Sequence, residues 1–142
     1  MTYLLDTNII INLVRNSNKQ LVGKIRDIIA NKDIFISLVS FAEIKSFSYQ
    51  NNWGESKIIK LDNFFNSINI LEINQDLIDI YVEIDSFSQG KHKTILSNFS
   101  KNMGKNDLWI ASTAKYSNLT LITTDNDFNH LDPYFIKILN LN

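Results

Sequence analysis

Short apolar runs alternate with longer stretches of helical spacing along the whole chain, and this alternation limits the fold more than any other feature. Residues 2–5 form a first apolar run, expected to be a buried strand. Helical patterns follow at 7–15 and 19–31, the second with Leu21, Ile25, Ile28 and Ile29 on one face. Residues 33–37 are a second strand, 41–50 a helix, and 53–67 a longer helix with Ile58, Leu61, Phe64 and Phe65 as its stripe. A third strand is expected at 69–73, a helix at 75–87, a further helix at 107–117, and strands at 119–122 and 135–139. Between them, Ile95, Leu96 and Phe99 are spaced for a short helix. Consecutive strands joined through helices run parallel, and their sheet is covered on both faces. The expected class is therefore α/β, with a central, mostly parallel sheet.

With 142 residues and 44% hydrophobic content, the chain is expected to form a single domain spanning 1–142 with a substantial core. No apolar run approaches the roughly 20 residues that cross a bilayer. The N-terminus lacks the basic, apolar and small-residue order of a signal peptide. The absence of cysteine excludes disulfides and thiolate metal sites, and a cytoplasmic location is expected. The net charge of −1 does not mark a nucleic-acid binder in bulk, but no acid occurs between Asp85 and Asp107. That stretch carries Lys91, His92, Lys93, Lys101 and Lys105, a solvated lysine-rich segment or a phosphate-attracting surface if an acidic site lies beside it.

The acids have a consistent placement. Asp6 follows the run Tyr3-Leu4-Leu5 and precedes a helix, so it is either an N-cap or a carboxylate at the rim of a parallel sheet, where such sheets bind ligands. Asp125 stands in the same relation to Leu119–Ile122, with Asp127 two residues on; both also suit a turn ahead of a short helix, 126–131. Ser40-Phe41-Ala42-Glu43 matches a capping box, with Val39 and Ile44 as its staple. Asp107 begins a helix, where the dipole favours a negative charge, yet it is aligned with Ile110, Ala111 and Ala114 on the buried stripe. A carboxylate so placed needs a partner.

Four carboxylates at one rim repel each other unless a cation holds them. Oxygen donors of this kind select Mg²⁺ or Mn²⁺ over Zn²⁺. His92 and His130 are isolated in sequence, and no zinc motif, P-loop, dinucleotide fingerprint or serine elbow occurs. Metal-assisted chemistry is the class these motifs leave.

Four segments, in order, resemble the acidic motifs of PIN domains: Tyr3-Leu4-Leu5-Asp6-Thr7-Asn8, Ser40-Phe41-Ala42-Glu43-Ile44, Gly104-Lys105-Asn106-Asp107-Leu108-Trp109-Ile110-Ala111 and Leu121-Ile122-Thr123-Thr124-Asp125-Asn126-Asp127-Phe128. The length is similar to that of VapC-type toxins of type II toxin-antitoxin systems. The resemblance implies a three-layer α/β/α sandwich and Mg²⁺- or Mn²⁺-dependent cleavage of RNA. It assigns the catalytic acids to Asp6, Glu43, Asp107 and Asp125, with Asp6, Asp107 and Asp125 as metal ligands. Asn8, Ser40 and Thr124 match supporting polar positions, and Asp127 is either a helper of Asp125 or a surface residue. The third motif continues Ala111-Ser112-Thr113-Ala114, where many relatives carry a second alanine and a histidine. The resemblance also implies an antitoxin partner and a homodimer, for which Trp53, Ile58, Phe64 and Phe65 are candidates if they are not core.

On this reading Glu43 orients or deprotonates the attacking water, or joins the metal shell. Lys91, Lys93, Lys101 and Lys105 are candidate contacts to the RNA backbone. Two other functions fit parts of the pattern. One is a haloacid-dehalogenase-like phosphatase with Asp6 as nucleophile, although such sites usually want a second Asp where Asn8 stands. The other is a non-catalytic PIN scaffold that binds RNA or protein.

Overall fold

The computed structural model describes residues 2–142. Five strands form one all-parallel sheet in the order β3-β2-β1-β4-β5. They are β1 (Thr2–Leu5), β2 (Asp33–Ser37), β3 (Asn69–Leu71), β4 (Thr120–Thr123) and β5 (Ile138–Asn140). The helices are α1 (Thr7–Arg15), α2 (Lys19–Ile29), α3 (Leu38–Gln50), α4 (Glu55–Asn66), α5 (Ile78–Ser88) and α6 (Lys105–Tyr116). Short 3₁₀ turns at Gln75–Leu77 and Asn126–Leu131 complete the order.

Strand alternation separates two cores. Tyr3 and Leu5 of β1 and Ile122 of β4 pack with Ile9, Ile10, Val22, Ile25 and Leu61 from α1, α2 and α4. Leu4 and Leu121, one residue out of phase, pack with Ile84, Phe87, Leu108, Ile110, Ala111 and Ala114 from α5 and α6. The result is the expected three-layer α/β/α sandwich, because each central strand is apolar on both sides and needs a helical layer on each. Phe65 is buried in the first core, and Trp53 and Phe64 pack against it, so these candidate interface residues serve largely as core.

The order of the strands reverses at β1. The chain adds β2 and β3 on one side, then crosses to place β4 and β5 on the other. The crevice beyond the C-terminal ends of β1 and β4 is thus the topological switch point, the usual ligand position in such sheets.

Several expected boundaries move. The strand expected at 69–73 closes at Leu71, and the one at 135–139 is Ile138–Asn140. The Ile95–Phe99 stretch forms no helix; it belongs to an irregular segment between α5 and α6. Most consequential is α3, which starts at Leu38 rather than 41. Its N-cap is Ser37, whose hydroxyl accepts the Val39 amide at 3.1 Å. The capping box expected at Ser40 and Glu43 does not exist: Ser40 sits inside the first turn, fully buried, and Glu43 lies one turn further on. The sequence offers two serines three positions apart, and the one at the end of β2 captures the helix start. Four helical segments end close to an asparagine in the left-handed region, at Asn16, Asn31, Asn52 and Asn118, a conformation that asparagine tolerates better than most residues.

Candidate active site

Asp6 is the N-cap of α1 and is only 4% exposed. The parallel register that pairs Leu5 with Ile122 puts Asp6 beside Thr123, and the Asp6 amide donates to the Ile122 carbonyl at 3.0 Å. Both carboxylate oxygens are engaged: Oδ1 accepts the Thr7 amide at 2.8 Å, and Oδ2 accepts the Thr123 hydroxyl at 2.7 Å. The cap and site roles of Asp6 coincide. Its pKa is raised to about 6: burial pushes it up most, the bonds from Thr123 and Thr7 pull it down, and the charges of Asp125 and Glu43 add to the rise.

Thr123 ties two motifs together. While donating to Asp6, its Oγ1 accepts the amide of Asp125 at 2.9 Å. Asp125 in turn caps the following 3₁₀ turn, its Oδ1 accepting the Asp127 amide at 2.8 Å. Asp107 projects from the first turn of α6, with Ile110, Ala111 and Ala114 buried behind it as its alignment implies. Its pKa rises to about 7, first through burial, then through the charges of Asp6, Asp125, Glu43 and Asp127.

Carboxylate oxygens of Asp107, Asp125 and Asp127 all lie within 4.8 Å of one another. Asp127, by sequence either a helper or a surface residue, belongs to this cluster. Asp6 is the foremost of the neighbouring charges that raise the Asp107 pKa, and its own oxygens are engaged by Thr7 and Thr123.

Glu43 is clamped from two other motifs. Its Oε1 accepts the Thr7 hydroxyl at 2.7 Å, and its Oε2 accepts the Asn106 side-chain amide at 3.2 Å. The Thr7 oxygen also lies 3.0 Å from the buried Ser40 hydroxyl. With the Thr7 hydrogen directed to the charged Glu43, Ser40 is left to donate to Thr7, an arrangement that satisfies both hydroxyls.

The supporting residues differ in part from those expected. Ser40 is in place. Asn8 is exposed, and its carbonyl accepts the Asn12 side chain; among the described residues its own side chain bonds to no acid. Thr124 likewise bonds to none of them and lines a separate cavity with Asn18, Leu21 and Lys24. Thr7, Thr123 and Asn106 do the supporting. Thr123 has one signal in the sequence, a polar residue closing the apolar strand that neighbours β1.

The lysines divide as well. Lys101 is ion-paired to Asp127 at 3.0 Å. Lys91 and Lys93 instead line a hollow with Val82, Glu83 and Ser86 of α5, and Lys105 opens α6 two residues before Asp107.

A rim of five carboxylates at the switch point, two with raised pKa, has the donor chemistry for a hard cation. A protein from Haemophilus influenzae (strain R2866) named Ribonuclease VapC1 is 30% identical over 123 residues, covering 87% of this chain and 86% of the relative. The structure of VapBC2 from Rickettsia felis, bound to a DNA fragment from its promoter, superposes with a TM-score of 0.77 at 25% identity, covering 99% of this chain and 98% of that one. VapBC-1 from nontypeable Haemophilus influenzae gives a TM-score of 0.72 at 26% identity, over 99% and 98% of the two chains. The family model described as PIN domain matches residues 3–133, a span that takes in all five rim acids, and the chain therefore belongs to the PIN domain family.

Proposed function

We propose that this protein is a metal-dependent endoribonuclease acting as the toxin of a toxin-antitoxin pair. The observation that carries the reading is the convergence of Asp6, Glu43, Asp107, Asp125 and Asp127 at the switch point of a PIN domain sheet. It is supported by relatives named as VapC ribonucleases and by fold neighbours that are VapBC complexes.

The donor set fits Mg²⁺ or Mn²⁺. Its members are all carboxylates, with neither histidine nor cysteine among them. Asp107, Asp125 and Asp127 would hold the cation, and Asp6 completes the set, since each of its oxygens keeps a second lone pair. When bound, a divalent cation supplies Lewis-acid chemistry: it offsets charge on the phosphoryl oxygens and makes water a competent nucleophile near neutral pH.

The remaining roles fall to the chain. Glu43, with its carboxylate fixed by Thr7 and Asn106, orients the attacking water and accepts its proton. Thr123 keeps Asp6 and Asp125 in register. The lysines at 91, 93, 101 and 105 attract the RNA backbone. The engagement of both Asp6 oxygens and its near-complete burial favour this role over that of a phosphatase nucleophile. A second copy of the chain and an antitoxin are the proposed protein partners. No helix among the described residues is long and apolar enough to cross a membrane.

The test is cleavage of single-stranded and structured RNA by purified protein with Mn²⁺, with Mg²⁺ and with EDTA, beside a phosphomonoester and an Asp6→Asn variant. Cleavage that needs both the metal and Asp6 is expected. Metal-dependent turnover of the phosphomonoester alone would overturn the reading.

A further inference from the structure

Lys101 lies in the segment between α5 and α6 that has neither helix nor strand, yet its backbone is fastened. Gly90 begins the segment with φ 73, and a Cβ there would stand 2.6 Å from the Phe99 carbonyl oxygen, so the chain folds back closely on itself. The Lys101 amide donates to the Ser88 carbonyl at 2.6 Å. The Ser88 hydroxyl, fully buried, lies 3.2 Å from the Met103 sulfur and 2.8 Å from His130 Nε2. On the other side of Lys101, Phe99 sits edge-on to Phe87 and to His130, with centroids 5.4 and 5.2 Å apart. His130 belongs to the same 3₁₀ turn as Asp127. One cluster, rooted in the buried Ser88 and Phe87, therefore fixes the backbone on both sides of the Lys101–Asp127 pair.

This changes what the pair means. An exposed ion pair is ordinarily weak because two long side chains must be held in one geometry. Here both partners start from anchored backbone. Among the described residues Lys101 is also the only lysine or arginine ion-paired with a rim acid; the other ion pairs are Lys45–Asp62 and His92–Glu83. A phosphodiester approaching five carboxylates brings one more negative charge. It needs a donor standing among those carboxylates rather than a distant basic patch.

We propose that Lys101 alternates between two anions: it neutralises Asp127 in the metal-free rim, and it donates to a non-bridging oxygen of the RNA phosphodiester once Asp127 is engaged by a divalent cation. This rests on the nuclease reading above. Two effects of opposite sign follow from it. Removing the ammonium frees Asp127 and tightens metal binding, while the same change slows cleavage.

The experiment measures Mn²⁺ affinity by calorimetry without RNA, and single-turnover RNA cleavage at saturating Mn²⁺. It compares the parent with Lys101→Gln, Lys101→Arg and Lys115→Gln, the last a charge control near the far end of α6. Lys101→Gln is expected to bind Mn²⁺ about two- to fivefold tighter and to cleave about ten- to a hundredfold more slowly. Lys101→Arg should stay close to the parent in both. Unchanged or weaker Mn²⁺ affinity in Lys101→Gln overturns the proposal, as does undiminished cleavage or a Lys101→Arg variant that behaves like Lys101→Gln. A parent protein that cuts no RNA with Mn²⁺ overturns the nuclease reading itself, and the parent reaction alone reveals that outcome.

Discussion

The two halves of the proposed site are built by different means. The acids stand on regular elements: Asp6 beyond β1, Glu43 on α3, Asp107 on α6 and Asp125 beyond β4. Sheet register and helix starts place them, and hydroxyls or amides of nearby residues set the orientation of Asp6, Glu43 and Asp125. Lys101 comes from irregular chain, held by a glycine turn, a serine and a knot of aromatic rings. Rigid elements place the groups that must repel one another at short range. The lysine paired with Asp127 comes from a segment whose anchors lie outside the sheet. It follows that the acid half should resist perturbation of the loop, whereas the loop half can be altered without dismantling the acids.

The hardest blow to the acid half is Asp6→Asn. RNA cleavage is expected to fall by about a thousandfold or more, measured in single turnover. The fold should survive, since asparagine is an equally good N-cap. Without metal, the Asp6→Asn variant is expected to melt no lower than the parent at pH 8, because a buried charge has been removed. A large loss of melting temperature would show that Asp6 is chiefly structural.

Next comes Thr123→Val, which keeps the shape of the strand end and removes one hydroxyl. It leaves Asp6 Oδ2 and the Asp125 amide without their shared partner, at a cost of about 1–3 kcal/mol. Urea unfolding reads that cost, and cleavage should drop with it. A stability loss without any loss of cleavage would separate Thr123 from the site.

The raised pKa values give a pH test. Asp6 near 6 and Asp107 near 7 lie above the ordinary 3.8, so the folded protein holds protons that the unfolded chain has released. Metal-free stability is therefore greatest at low pH in this respect, and it declines as pH rises from about 4 through 7. The melting temperature of the EDTA-treated protein should fall by about 5 °C between pH 5 and 8 on this account. Saturating Mn²⁺ should recover it, with the larger gain at pH 8. A melting temperature that rises over this interval and ignores Mn²⁺ would contradict the crowded-carboxylate picture.

The mildest change is Gly90→Ala, aimed at the loop half. The positive φ and the 2.6 Å approach to Phe99 predict a loss of about 1 kcal/mol. Faster hydrogen exchange should be confined to residues 91–104, with the amides of β1 and β4 protected as before. Exchange that spreads into β1 would mean that the two halves are one cooperative unit.

The same contrast explains what can be read from the chain. The parallel sheet and both helical layers are legible because Leu4 and Leu5, or Leu121 and Ile122, announce strands buried on both faces. The acids are legible because each follows a strand or lies near the start of a helix. Of their supporters only Ser40 is. Thr7 meets Glu43 from 36 positions away and Asn106 meets it from 63, and one sequence holds no record of such pairings. Asn8 and Thr124 stand out as polar neighbours of acids, but helix and strand geometry turns Thr7 and Thr123 inward instead. The spacing of Ser40 to Glu43 suits a helix start, and the end of β2 places that start three residues earlier. Lys101 reads only as one lysine among several, since the rings that anchor it lie on both sides of a stretch with no period.

The central strand carries a consequence for timing. β1 leaves the ribosome well before its partner β4, for Asp6 and Thr123 are 117 positions apart. Asp6 gains the Thr123 hydroxyl and its Asp125 and Asp127 neighbours only when that second strand and the turn beyond it have emerged. A nascent chain that already displays α1 to α5 still has no assembled rim. A protein whose proposed substrate is RNA would thus stay harmless to the machine that is making it until β4 is out.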